Sequence, residues 1–250
     1  MRYYLHDDKF AVVRGLVPGV KPVRVYGINE NQGTTEESVW VGSAIYPYPT
    51  AANTLVLYST SASDASGGTG ASQITIDGLD ANLVEISETI TLNGTANVSS
   101  TSQFYRINSM YASNTGSLGK AAGNVSAYHT GNLVGFIDPT LGNNSQHAGF
   151  TIPKGKTGYA CQMLISTSSG SDVLTHLWSR SPGATGQSAF YFLNYRGTQD
   201  LTLEFPIKLV EGTDAEVRAS TLSGTSTVAA ALCIVLIDDA PSIAQLTANT

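Results

Sequence analysis

Apolar and polar residues alternate along this chain in short runs, and turn-forming clusters separate the runs. A period of two predicts strands with one buried and one solvated face, not helices. Strand patterns fall at 23–28, 38–41, 54–59, 73–77, 84–92, 96–107, 108–112 and 123–129, broken by ENQGTT, YPYPTAAN and SDASGGTGAS. After DPTLGNNSQHAG a second series follows: TGYACQMLIS, VLTHLWSR, SAFYFLNYR, LTLEFPIKL, AEVRAST and VAAALCIVLID. The pattern predicts an all-β protein of two β-sandwich or jelly-roll-like domains, 23–137 and 150–239, joined by a linker loop at 138–149. Residues 1–22 read as an N-terminal extended arm, and 240–250 as a polar C-terminal tail. Tyr3, Tyr4, Leu5 and Phe10 make the arm too apolar to hang free, so it is expected to pack on another element or subunit.

ITIDGLDANLVEISETITLNGT (74–95) reads in two ways. Leu79, Leu83, Ile86 and Ile90 recur at helical steps, whereas Val84, Ile86, Ile90 and Leu92 share one face of a strand. Asn93-Gly94 decides for the strand, because Asn-Gly is the preferred pair for a tight hairpin turn. The sequence therefore predicts a strand over 84–92 that turns at 93–94 into the next one. That register sets Glu88 on the apolar side beside Ile86 and Ile90, where a charge needs a partner. Arg106 or another chain is the expected partner.

Charged residues are only 13% of the 250, about half the usual share, and glycine reaches 25. Such a surface of hydroxyls and glycines suits β structure with many turns. The net charge of −6 and the scattered basic residues leave no stripe for nucleic acid. No apolar run is long enough to span a membrane. The start, MRYYLHDDKFAVV, lacks the apolar core of a secretory signal, so synthesis and folding in a cytoplasm are expected. Cys161 and Cys233 lie in apolar strand-like runs, which favours two buried thiols over a disulfide.

Candidate chemistry is sparse. His6, His129, His147 and His176 share no metal-ligand spacing, and the carboxylates Asp77, Asp80, Glu85 and Glu88 read as turn formers and a solvated face. No catalytic residue, metal or cofactor is expected, and SPGATGQS lacks the lysine of a phosphate loop. The twelve tyrosines say more. Tyr46 and Tyr48 in IYPYPT sit in a loop-like segment, which makes them candidates for surface recognition of sugars by stacking. Tyr191 and Tyr195 in FYFLNY, with Tyr3, Tyr4, Phe10, Glu88 and Arg106, are candidates for a subunit interface.

Five segments carry a family resemblance: WVGSAIYPYPTA (40–51), DASGGTGA (64–71), IDGLDANLVEISETITLNG (76–94), RINSM (106–110) and IPKGKTGY (152–159). Together they resemble structural proteins of the virions of tailed bacteriophages, a family frequent among phages of aquatic bacteria. The resemblance covers roughly residues 25–237 and brings no catalytic or ligand residues with it. It implies a non-enzymatic virion protein with an all-β fold. The expected form is a decoration or cement protein on the capsid exterior, a homotrimer bridging copies of the major capsid protein or other virion proteins. The alternative is a tail or head-fibre component that recognises a cell-surface glycan of the host.

Overall fold

The computed structural model of the protein describes residues 11–168, 172–184, 188–194 and 197–239, with 188–194 described in backbone only. Apart from a short helical turn at 11–13, its regular structure is β. The strands of the first half are β1 (Val20–Gln32), β2 (Glu37–Ser38), β3 (Leu55–Ser59), β4 (Ala71–Leu79), β5 (Glu85–Thr91), β6 (Val98–Ser99), β7 (Arg106–Thr115), β8 (Val125–His129) and β9 (Asn132–Ile137). Those of the second are β10 (Gly149–Thr151), β11 (Lys156–Thr167), β12 (Val173–Arg180), β13 (Ser188–Asn194), β14 (Gly197–Leu209), β15 (Asp214–Thr221) and β16 (Ser226–Asp238). They pair antiparallel in four sheets of order β1-β16-β11-β14, β10-β15-β12-β13 with β2 also on β15, β6-β3-β8-β9, and β5-β4-β7.

Two cores form, each fed by two sheets. Val25, Phe150, Ile165, Leu177, Val217, Leu232 and Ile234 belong to one. Leu55, Leu57, Ile74, Ile76, Phe104, Met110 and Ile137 belong to the other. The residues 23–32 therefore change sides relative to the sequence expectation. β1 runs antiparallel to β16 from Val20↔Ile237 to Asn29↔Val228, in the sheet of the second block. Chain proximity groups β1 with the first block, but Val25 belongs to the core of the second block and the partly buried Val23 packs against it. Pro22 is tolerated because β1 is an edge strand and needs no donor on its free side. Residues 20–22, expected in the N-terminal arm, belong to β1.

The chain leaves the second block at Val39 and returns at Ala148. These two segments are tied together: Ala148 N–H donates to the Val39 carbonyl (3.1 Å), and Val217 N–H to that of Ala148 (2.9 Å). They cross directly over Gly27. A Cβ there would lie 1.9 Å from Val39 O and 2.4 Å from Ala148 N, so only glycine fits.

The strand over 84–92 is found as β5, yet its hairpin is on the other side. β5 pairs with β4, from Gln73↔Thr91 to Leu79↔Glu85, and β6 pairs with β3 instead. Asp80 makes the reversal: its Oδ1 accepts the N–H groups of Asn82 (2.8 Å) and Val84 (2.9 Å), and Leu83 takes φ +63°. At 93–96 only Gly94 has positive φ (+59°), and Ala96 N–H closes a turn on the Asn93 carbonyl. The Asn-Gly pair thus marks a turn but not a two-strand hairpin. Of the predicted strand over 96–107, only Val98–Ser99 (β6) and the start of β7 at Arg106–Ile107 are strand. TSQ and its serines bond locally instead, with Ser100 Oγ donating to the Ser102 carbonyl (2.8 Å).

Glu88 does share a face with Ile86, but Arg106 is not its partner. One carboxylate oxygen accepts the N–H and hydroxyl of Thr101 (2.8 and 2.9 Å), and the other accepts the Ser102 N–H (2.7 Å). Partial burial raises its pKa, and these bonds outweigh that and lower it. The charge is satisfied inside the chain.

Candidate functional site: the seam between the two cores

β15 explains why charge is buried here. Ala215, Val217 and Ala219 face the core, which throws Asp214, Glu216 and Arg218 onto the outer side of the sheet. That side is not solvated. The first block covers it, leaving Asp214 1% and Glu216 0% exposed. Buried carboxylates need donors, and the neighbouring elements supply them.

Asp214 is held by both blocks. Its Oδ1 accepts Arg106 Nε (2.7 Å) from β7 and the Thr151 hydroxyl (2.8 Å). Its Oδ2 accepts Arg106 Nη2 (3.0 Å) and Arg180 Nη2 (2.6 Å). The fork-to-fork geometry with Arg106 is the strong form of this pair. Arg106 also donates to the carbonyls of Pro49 and Tyr105. Beside it, the Asn108 amide and the Thr151 backbone exchange bonds of 3.0 and 2.9 Å.

Glu216 anchors a second group. Its Oε1 accepts Arg218 Nε (2.6 Å), and His147 Nε2 lies 3.3 Å from its Oε2. Arg218 Nη1 donates to Glu36 (3.3 Å), and His176 Nε2 stands 3.3 Å from that same carboxylate. Burial holds the His176 pKa below 6.5, against the pull of Glu36. A group that is neutral when folded and protonated when unfolded destabilises the fold as pH falls. Unfolding free energy is therefore expected to drop below pH ~6.5 by at most about 1.4 kcal/mol per pH unit from this site. Denaturant midpoints between pH 7 and 5 check it, and a His176→Gln variant should flatten that part of the profile.

An aromatic layer fills the remaining space. Tyr46 stacks on His147 with centroids 4.0 Å apart, Trp40 meets Tyr46 edge-on at 5.1 Å, and Tyr48 stacks on Trp178 at 5.6 Å. Arg106 and Arg180 each lie 5.3 Å from the centre of the Tyr48 ring, and Arg218 lies 3.9 Å above Trp178. Such contacts add to the ion pairs when desolvated. Gly42 lets the segment close on itself, since a Cβ would sit 2.1 Å from the Trp40 ring. Trp40 Nε1 donates to Ala44 O (2.8 Å).

The assignment of Tyr46 and Tyr48 to surface recognition is thereby overturned. Tyr46 is 3% exposed, with its hydroxyl on the Val134 carbonyl at 2.8 Å, and burial pushes its pKa upward. The Tyr48 ring is sandwiched inside the seam. Of the expected interface residues, Arg106 is spent inside the chain and Glu88 is on the 101–102 loop. Tyr3, Tyr4, Phe10 and Tyr195 lie outside the described residues, and Tyr191 is described only as the backbone partner of His176 in β13. Asp214, Glu216, His147 and Trp178 were missed. The signal for the first two was present, as acidic and basic residues alternating with Ala and Val in DAEVRAS.

A third buried carboxylate organises the first block. Asp64, fully buried, accepts the Ser59 hydroxyl (2.5 Å) and the N–H groups of Ala71 (2.6 Å), Ala122 (2.8 Å) and Gly123 (3.0 Å). It clasps three loop segments into one node. A Cβ on Gly70 would fall 2.0 Å from its Oδ1. The two sulfurs are in no disulfide: Cys161 Sγ donates to the Cys233 carbonyl at 3.4 Å. Among the described residues, no three His, Cys, Asp or Glu side chains are grouped to hold a metal ion, and no helix is long and apolar enough to cross a membrane.

No protein-family model matches the chain, and no curated protein matches it. Two solved structures of infectious bursal disease virus are weakly similar. The Gx-strain structure gives a TM-score of 0.25 at 10% identity, over 88% of this chain and 71% of that one. The Gt-strain structure gives 0.22 at 10% identity, over 93% and 82%. TM-scores this low do not establish a common fold.

Proposed function

We propose that this chain is a non-enzymatic structural protein of a virus particle, seated on the exterior of a tailed-phage head, where it bridges and stabilises capsid subunits. The observation that carries the reading is strand order. Counted along the chain, β1 and β10 to β16 fall into sheets of order first-eighth-third-sixth and second-seventh-fourth-fifth. That order supports an eight-stranded double Greek-key jelly roll, a wrap used by viral capsid and lectin domains. The first block enters this wrap between its first and second strands, as a second β unit locked down by the seam. A fold alone is only an analogy. The segments that resemble tailed-phage virion proteins narrow it, and two of them supply the seam: Trp40 and Tyr46 from one, Arg106 from another.

In this reading the protein works by adding buried contact area between neighbours. About 1,200–2,000 Å² of contact is normal for a stable assembly. Its partners are further copies of the chain, as a homotrimer, and the major capsid protein. Surface digestion of intact particles tests the placement. Peptides of this chain are expected to be released before the head opens; release only after lysis would place the chain inside and overturn the reading.

A further inference from the structure

The two blocks leave a cleft of about 700 Å³ between β1 on one wall and β4, β5 and β7 on the other. That volume lies in the range of small-ligand sites, which favour the junction between folded units. Its charges are balanced. Lys21 and Arg24 stand on the β1 wall and Asp77 and Glu85 on the opposite one, with Lys21 Nζ 3.7 Å from Glu85 Oε1. A strongly anionic ligand would face the two carboxylates, and a cationic one the two bases.

Between the charges lie hydrogen-bonding groups without a partner among the described residues. The side chains of Ser109, Asn144 and Gln146 line the cleft and make no hydrogen bond to a described residue. Asp77 Oδ1 accepts the Ser87 hydroxyl (2.7 Å), and its Oδ2 has no hydrogen-bond partner among the described residues. Tyr26, 53% exposed, offers an aromatic ring on the same lining. Hydroxyl donors and acceptors in number, no net charge, and a C–H face to lay on a ring describe a sugar. A peptide strand fits less well: both free edges here are guarded, β1 by Lys21, Pro22 and Arg24 and β5 by Glu85.

We propose that the cleft between β1 and the β5-β4-β7 sheet binds a neutral oligosaccharide through Asp77, Ser109, Asn144 and Gln146, with Tyr26 beneath a sugar ring. The proposal stands whether or not the chain belongs to a virion. The full-length protein is screened on an array of neutral and acidic bacterial surface oligosaccharides and of peptides, and the best neutral probe is then titrated by saturation-transfer NMR. Tyr26→Ala and Asn144→Ala should each weaken binding at least tenfold, whereas Tyr26→Phe, which keeps the ring, should stay within twofold. Both sites are exposed, and unchanged melting temperatures establish that the variants fold. Capture of acidic glycans or peptides alone, no capture, or neutral binding that both alanine variants leave intact overturns the proposal.

Discussion

Asp214→Ala is expected to cost about 3–5 kcal/mol, because it leaves the Arg106 guanidinium buried without its counter-charge. At roughly 2–4 °C per kcal/mol for a chain of this size, melting should fall by about 6–20 °C. The effect has a particular form. Arg106 comes from one core's sheets and Asp214 from the other's, so the pair couples the two. Removing it should split one cooperative unfolding transition into two, visible as a non-coincidence of Trp fluorescence and far-UV circular dichroism. Arg106→Met combined with Asp214→Leu should recover much of the loss, since an apolar pair of similar volume avoids desolvating either charge. A single transition with unchanged midpoint in Asp214→Ala would mean that the seam does not hold the blocks together.

Asp64→Ala is the second large effect. It strands one hydroxyl and three N–H groups, each worth about 1–3 kcal/mol when buried and unpaired, with relaxation making the sum less than additive. A loss of about 3–5 kcal/mol is expected. Unlike the seam variant, it should act within one block. Hydrogen exchange should rise over 59–71 and 121–125 while β11, β12 and β16 stay protected. Uniform deprotection throughout the chain would contradict a local role for the Asp64 node.

The strands were legible where burial is one-sided or complete. All six runs of the second series appear as β11 to β16, because VAAALCIVLID and its neighbours leave no other way to bury so many apolar side chains. Pairing was not legible. β1 docks on β16 across the 193 residues between Gln32 and Ser226, and nothing local in VRVYGI specifies that partner. The turn at Asp80 lost to the louder Asn93-Gly94 because an aspartate closing a longer loop on its own backbone leaves no two-residue signature. The seam was half visible. The sequence offers Arg106 as a partner for Glu88, but the carboxylate it pairs with is Asp214, 108 residues away. Tyr46 and Tyr48 looked exposed because YPYP reads as a loop, and a loop that folds back under a neighbouring sheet has the same composition as one that faces water.

The number of copies of this chain per purified particle, measured by quantitative mass spectrometry against the major capsid protein, tests the functional reading most directly. A capsid-exterior bridging protein requires a copy number comparable with that of the major capsid protein, in a small whole-number ratio. A handful of copies per particle, or none, would contradict it and point to a tail component or to no virion role at all.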